Sequence, residues 1–310
     1  MINRTRVSVG LAVCLVCVVT SIAAPGEKVL FEGKSKFNSS IMVVQDAEGL
    51  RTLIFDNSGV RQSTVKLGDP DRLELPYTRV MPVALAAVEK PKRILIVGLG
   101  GGSIPNFLHK HYPDTHIDVV DIDPMVVEVA KKYFGFREDK TLRVHVADGR
   151  AFIEKCKKPY DIIFLDAYGA EDIPYALATR EFLQAVRKVV TPKGVVVTNL
   201  MGRFSNRLYD SMIGTYIDVF DEVHVVDIRN SGNVILLALP HQPKLTKDTL
   251  ARQARELSRE KKFPFNLGRL VKYGCRAPDK EEKSAPILLD KKKKRSDPGE
   301  HQPKSSDNRP

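Results

Sequence analysis

The sequence predicts an α/β fold: a doubly wound, mostly parallel sheet with helices on both faces, closed by an antiparallel hairpin and preceded by a small N-terminal β-domain. Three observations predict it. Between Arg93 and Pro240, short apolar runs alternate with amphipathic stretches, the rhythm of strands and crossover helices. A glycine-rich turn, Gly98-Leu99-Gly100-Gly101-Gly102-Ser103, directly follows the first apolar run. Three later strand-like runs each end on or just before an acid, at Asp121, Asp148 and Asp166.

The elements follow in order. Residues 1–24 place Arg4 and Arg6 before an apolar run, then small residues at Ser21, Ala23 and Ala24. That layout predicts a secretory signal peptide or a retained membrane anchor, hence a chain exported to the periplasm or cell exterior, or held at a membrane. Residues 25–76 carry short β-like stretches and form the small β-domain. From residue 77 to residue 276 runs the nucleoside-binding domain. Arg93–Val97 is a continuous apolar strand, as expected of one buried on both faces. A helix to about His111 follows the glycine turn, then a strand Ile117–Asp121 and a helix Pro124–Tyr133 with Asp123 as its N-cap. Leu142–Val146 and Tyr160–Asp166 are further strands, Thr179–Val190 a helix, and Thr191–Gly194 a turn into the strand Val195–Asn199. Glu222–Ile228 and Asn233–Leu239 read as the closing hairpin, which makes a seven-stranded sheet. Lys244–Lys262 reads as a polar helix with Leu250 and Leu257 on its narrow buried side. Residues 277–310 are expected to be a disordered basic tail, because apolar residues nearly vanish and Lys291–Arg295 is a run of five cations.

Composition bounds the function. The 310 residues include 49 Lys and Arg against 38 Asp and Glu, a formal charge of +11, part of it in the tail. Trp is absent and aromatic residues are few, which argues against a base-stacking surface, and no nucleic-acid partner is expected. Of four cysteines, Cys14 and Cys17 fall in the N-terminal segment; Cys156 and Cys275 are too isolated for a zinc site or a disulfide framework, though they could pair in an oxidising compartment.

The strand ends carry the chemistry. Glycines let the backbone turn sharply off a strand and approach a ligand that a Cβ would exclude, so Gly98, Gly100 and Gly101 are candidate cofactor-binding positions. Asp121 can accept both hydroxyls of a ribose lying over that loop. Asp148, followed by Gly149, offers an acceptor for an exocyclic adenine amine. Asp148-Gly149 together with the terminal hairpin points to an adenosylmethionine-type nucleoside rather than a dinucleotide.

These residues resemble the spermidine synthases, the polyamine aminopropyltransferase family. The likeness rests on Ile94–Ser103, Val119-Val120-Asp121-Ile122-Asp123, Asp148-Gly149-Arg150-Ala151-Phe152 and Tyr160–Asp166, and upstream on Lys34–Asn38, Arg51–Asp56 and Val60–Ser63. It spans roughly Lys28 to Pro240 in order. The resemblance implies a Rossmann-like fold of the adenosylmethionine-dependent methyltransferase type and a homodimer. It also implies that Gln62 borders the nucleoside pocket and that Asp166 is the catalytic acid receiving the proton of the attacking amine. Tyr77, Arg79, Glu171 and Asp172 are the candidate substrate-binding residues. Decarboxylated adenosylmethionine, or adenosylmethionine itself, would be the co-substrate, with a polyamine or other nucleophile as acceptor and no metal required.

The chain also departs from the family pattern. Gly101 stands where the family has an acid, and Gly169 where the catalytic loop has a second one. Tyr77-Thr78-Arg79 replaces a Tyr-His-Glu stretch, and Ile228–Gly232 replaces a Tyr-Pro turn. Fewer acids and a new arginine would admit intact adenosylmethionine, with Arg79 pairing its carboxylate. Aminopropyl transfer is therefore the leading expectation, with methyl transfer and non-catalytic binding of a nucleoside or polyamine as alternatives.

Overall fold

The computed structural model describes residues 26–56, 59–169, 173–241 and 245–290. The signal or anchor segment, the pair Glu171 and Asp172, and the basic run beginning at Lys291 lie outside the described residues. No described helix is long and apolar enough to cross a membrane.

Four strands, β1 (Lys28–Gly33), β2 (Ile41–Gln45), β3 (Leu50–Phe55) and β4 (Arg61–Lys66), form an antiparallel meander in chain order. Its period-2 pattern gives one face of Ile41, Val43, Leu53, Phe55 and Val65. That face packs against Val126 and Val129 of the helix Pro124–Tyr133 and against Phe134 at its end.

Two single-turn 3₁₀ segments, Pro76–Arg79 and Met81–Val83, lead into α1 (Ala84–Ala87). The large sheet then builds from β5 (Arg93–Val97), α2 (Ser103–His111), β6 (His116–Asp121), α3 (Pro124–Tyr133), β7 (Leu142–Val146), α4 (Gly149–Lys155), β8 (Tyr160–Leu165), α5 (Arg180–Val189) and β9 (Val190–Met201). It ends with α6 (Tyr209–Val219), β10 (Glu222–Asp227), β11 (Asn233–Leu239), α7 (Lys247–Glu260), α8 (Leu267–Gly274), β12 (Cys275–Arg276) and α9 (Lys280–Ser284). The spatial order is β12-β10-β11-β9-β8-β5-β6-β7, with β5 to β9 parallel and the last three strands antiparallel. The sheet thus has eight strands rather than seven, because the two-residue edge strand β12 is too short to leave a periodic signal in the sequence. Nor is the expected turn at Thr191–Gly194 a separate element. It is an irregularity within β9, where the pairing with β8 shifts register between Tyr160↔Val190 and Ile162↔Val195.

Both faces are covered. Ile94, Ile96, Ile162, Phe164, Val195 and Val197 point to the side of α1, α2, α7 and α8, whereas Leu95, Val97, Ile163, Leu165 and Val196 point to α4, α5 and α6. This alternation buries every residue of Ile94–Val97, which explains why the strand reads as an unbroken apolar run. Helix α3 has two apolar stripes: Val127 and Ala130 meet the large sheet's core, Val126 and Val129 the small sheet's. It fixes one sheet against the other.

The C-terminal expectation needs correcting, since residues 277–290 are folded. Asp279 and Glu282 form a capping box at α9, and the fully buried Glu282 accepts two hydrogen bonds from Arg276, at 2.9 and 2.7 Å. Leu288 is buried, and its N–H donates to Thr215 Oγ1 at 3.0 Å. Asp290 then receives Arg150 in a two-pronged pair of 2.8 and 2.6 Å, together with the Thr179 hydroxyl at 2.8 Å. Ion pairs and one apolar anchor hold this strap, and a reading of apolar content gives such contacts no weight. Cys156 and Cys275 are both free thiols, and burial pushes the Cys275 thiol up to about 11.

Candidate functional site

The topology sets the position of the site. From β5 the chain crosses outward to β6 and β7 and then returns to β8 on the other side of β5. The loops after β5 and β8 diverge at this reversal, and a crevice opens at the carboxyl ends of the strands. A cavity of about 290 Å³ occupies it.

Backbone geometry makes the glycine turn. Gly98 has φ +104°, and a Cβ there would lie 2.3 Å from the Asp166 carbonyl oxygen. Only glycine lets the β5 and β8 ends run this close. Gly98 N–H donates to Val120 O and Asp166 N–H to Val97 O, both at 2.8 Å, so three strand ends are tied together.

At the end of β6, the Asp121 carboxylate accepts from Leu99 N–H and from Asp123 N–H, each at 2.9 Å. Burial outweighs these donors and raises its pKa above the usual carboxylate value. Asp123 is the N-cap of α3, accepting from Met125 N–H at 2.9 Å, and also takes Ser35 Oγ at 2.5 Å and Asn38 Nδ2 at 2.8 Å from the small sheet's first loop. Asp148 caps α4 by accepting from Ala151 N–H at 2.8 Å, and it stays exposed on the cavity wall. Gln62, Gly100, Gly149 and the apolar Ile122 and Leu177 line the same space.

The other end of the cavity centres on Asp166, just past β8. Asn199 of β9 donates from Nδ2 to Asp166 Oδ1 at 2.9 Å, and the Tyr77 hydroxyl donates to the same carboxylate. Burial nevertheless dominates and lifts the Asp166 pKa to about 7. The pKa of Tyr77 is itself raised, first by burial and then by Asp166. Tyr168 hydroxyl donates to the Asn199 carbonyl at 2.9 Å. A carboxylate poised near neutrality and held by neutral donors can orient an amine and take a proton from it.

The structure brings together Gln62, Tyr77, Gly98, Gly100, Asp121, Asp148, Gly149 and Asp166 around this cavity. Two expected residues are placed elsewhere. Arg79 is exposed and donates to the carbonyls of Leu73 and Glu74, on the wall of a separate surface hollow with Asp69 and Phe265. Its short 3₁₀ segment turns Tyr77 inward and Arg79 outward, so it is not placed to pair a cofactor carboxylate. Gly101 is buried behind the loop, where a Cβ would meet Phe134 and Ser63 at 3.0 Å. Packing against the small sheet thus occupies the space that a side chain at 101 would need. Glu171 and Asp172 lie outside the described residues. Sequence reading missed Asn199, Asn233, Tyr168, Phe37 and Asn38. No local signal marks Asn199, which lies inside β9 with Leu200 and Met201 after it and meets Asn233 34 residues further on. Among the described residues no cluster of His, Cys, Asp and Glu could hold a metal ion.

Comparison with known proteins agrees with this geometry. Residues 75–209 match the spermine/spermidine synthase domain. The chain is 37% identical over 249 residues to a polyamine aminopropyltransferase of Vibrio vulnificus, covering 76% of this chain and 82% of that protein. A probable spermidine synthase of Corynebacterium glutamicum superposes with a TM-score of 0.68 at 20% identity, over 85% of this chain and 97% of that one, and shares the fold. Human methyltransferase-like protein 13, solved with SAH, gives a TM-score of 0.54 at 32% identity, over 66% of this chain and 96% of that one. With the strand-end carboxylates, the glycine turn and the small N-terminal sheet all in place, this chain belongs to the spermidine synthase family of polyamine aminopropyltransferases.

Proposed function

We propose that the protein binds a sulfonium nucleoside of the adenosylmethionine type and transfers its aminopropyl group to a polyamine acceptor. The observation that carries this reading is the placement of Asp166, with Tyr77 and Asn199, at one end of the cavity whose other end holds Asp121. In this assignment Asp121 holds the ribose hydroxyls, Asp148 the adenine amine, and Gln62 the pocket edge. The neutral acceptor nitrogen attacks the carbon next to the sulfonium sulfur. The C–S electron pair returns to sulfur, leaving a neutral thioether, and the proton shed by the alkylated nitrogen passes to Asp166.

One observation favours methyl transfer as a second reading. It is the likeness to human methyltransferase-like protein 13, solved with SAH, at 32% identity over 66% of this chain. Arg79 lends it no support. Calorimetric titration of the full chain with adenosylmethionine, its decarboxylated form and methylthioadenosine separates the readings. The aminopropyl reading expects the decarboxylated form to bind most tightly and a diamine to gain an aminopropyl group. Preference for intact adenosylmethionine moves the assignment to methyl transfer, and binding of none leaves a non-catalytic fold. We also propose that residues 1–24 export or anchor the chain, on the strength of Arg4 and Arg6 preceding the apolar run. N-terminal sequencing of the mature protein tests that.

A further inference from the structure

Asp166 is oriented by an amide whose own orientation is set elsewhere. The Asn199 side chain is 2% exposed; its Nδ2 faces Asp166 Oδ1 at 2.9 Å, and its Oδ1 accepts from Asn233 Nδ2 at 3.0 Å. Asn233, the first residue of β11, is fixed in turn. Its backbone N–H donates to Ser231 Oγ and the Ser231 hydroxyl donates to Asn233 Oδ1, both at 3.2 Å. That leaves the Asn233 amide nitrogen to face Asn199, with Met201 Sδ at 3.6 Å as its other contact.

An asparagine side chain is nearly symmetric in shape, so only its hydrogen bonds decide which end points where. Turning Asn199 over would set its oxygen against the Asp166 carboxylate and its nitrogen against the Asn233 nitrogen, two repulsive contacts at once. The direction of donation therefore runs Ser231 to Asn233 to Asn199 to Asp166, from the turn of the closing hairpin to the cavity. Tyr77 also donates to Asp166, Tyr168 engages the Asn199 backbone carbonyl, and no cation is paired with Asp166 among the described residues.

We propose that Asn233 is a positioning residue for Asp166, holding the Asn199 amide with its nitrogen toward the carboxylate. This deepens the transferase reading, since the value of an ionisable Asp166 rests on its proton-accepting role. Asn233 touches neither donor nor acceptor in this account.

The test is a carbon-13 carboxyl titration of the full chain, with the Asp166 resonance assigned by its loss in Asp166→Asn. Asn233→Leu preserves bulk but cannot donate, so the Asp166 pKa should rise by about one unit, the loss of one hydrogen bond to the charged form. Ser231→Ala should shift it in the same direction by less, and decides the matter should Asn233→Leu fail to fold. In an Asn199→Ala background neither substitution should move the pKa further, because the relay is already cut. An unchanged Asp166 pKa in folded Asn233→Leu or Ser231→Ala overturns the proposal, as does a shift that persists without Asn199. The titration needs no donor or acceptor, so absence of transfer activity would count against the functional reading and leave this inference standing. Normal transfer with an unmoved pKa would sink the inference alone.

Discussion

The two ends of the cavity are built differently. The nucleoside end is local: the glycine turn, Asp121 and Asp148 follow three successive strands, and each carboxylate is also a structural acceptor, either for the loop's own N–H groups or as a helix cap. The reactive end is assembled from distant parts, with Tyr77 from a 3₁₀ turn, Asp166 from the residue after β8, Asn199 from β9 and Asn233 from β11. Backbone geometry makes the first half, and side-chain orientation makes the second. Damage should therefore show as lost affinity at one end and as lost rate or altered pH dependence at the other.

The largest expected effect is at Asp166. Asp166→Asn should lower the transfer rate by about 10²–10⁴-fold while leaving nucleoside affinity nearly unchanged. A comparable fall in calorimetric affinity would show that the two ends are not separable. Next, Asp121→Ala should weaken nucleoside binding roughly 10–100-fold through loss of acceptors for two hydroxyls. If kcat rather than Kd fell, its assignment to the ribose would be wrong.

The pH dependence is a sharper probe. Only ionised Asp166 can take a proton, so the rate should climb with pH along a limb centred at about 7. Stability runs the other way. The folded chain keeps this proton up to about 7, whereas the unfolded carboxyl loses it near 3.8. The group's contribution to stability therefore declines as pH rises through that window and is level above it. Thermal melts across that range should slope less steeply in Asp166→Asn than in the native protein; equal slopes would contradict the raised pKa. Tyr77→Phe removes a donor to the charged form and should push the rate limb upward by about one pH unit. The smallest effect belongs to Arg79→Ala, whose cation meets, among the described residues, the carbonyls of Leu73 and Glu74. Affinity for adenosylmethionine should stay the same, with a stability loss of no more than about 1 kcal/mol. A marked drop in affinity would return Arg79 to the site.

What the sequence disclosed follows the same division. The parallel sheet, the hairpin and the nucleoside end were readable because runs such as Ile94–Val97 and turns such as Gly98–Gly102 state their geometry within a few residues. Asp166 was readable as one more strand-end acid. Asn199 and Asn233 were not, because a hydrogen bond between residues 34 apart on adjacent strands leaves no local pattern. The assignments of Arg79 and Gly101 failed on direction, since neither composition nor spacing says which side of a tight turn faces the cavity. The strap ending at Asp290 was hidden for a related reason, its anchors being charges whose partners lie far back in the chain.

That strap has a practical corollary. Leu289 accepts the Tyr175 hydroxyl at 3.0 Å, and Pro174, Ala176 and Leu177 on either side of Tyr175 form part of the cavity wall. Arg150, clamped by Asp290, follows the cavity-lining Gly149 and donates to the carbonyl of Ala176 in the same wall at 3.2 Å. A version of the protein shortened at residue 276, where hydropathy would place the end of the fold, would keep every proposed ligand-binding side chain and still hold its nucleoside less firmly than one ending at residue 290. A purification tag fused directly after Asp290 would begin one residue past the Leu289 carbonyl that holds Tyr175 beside the cavity wall.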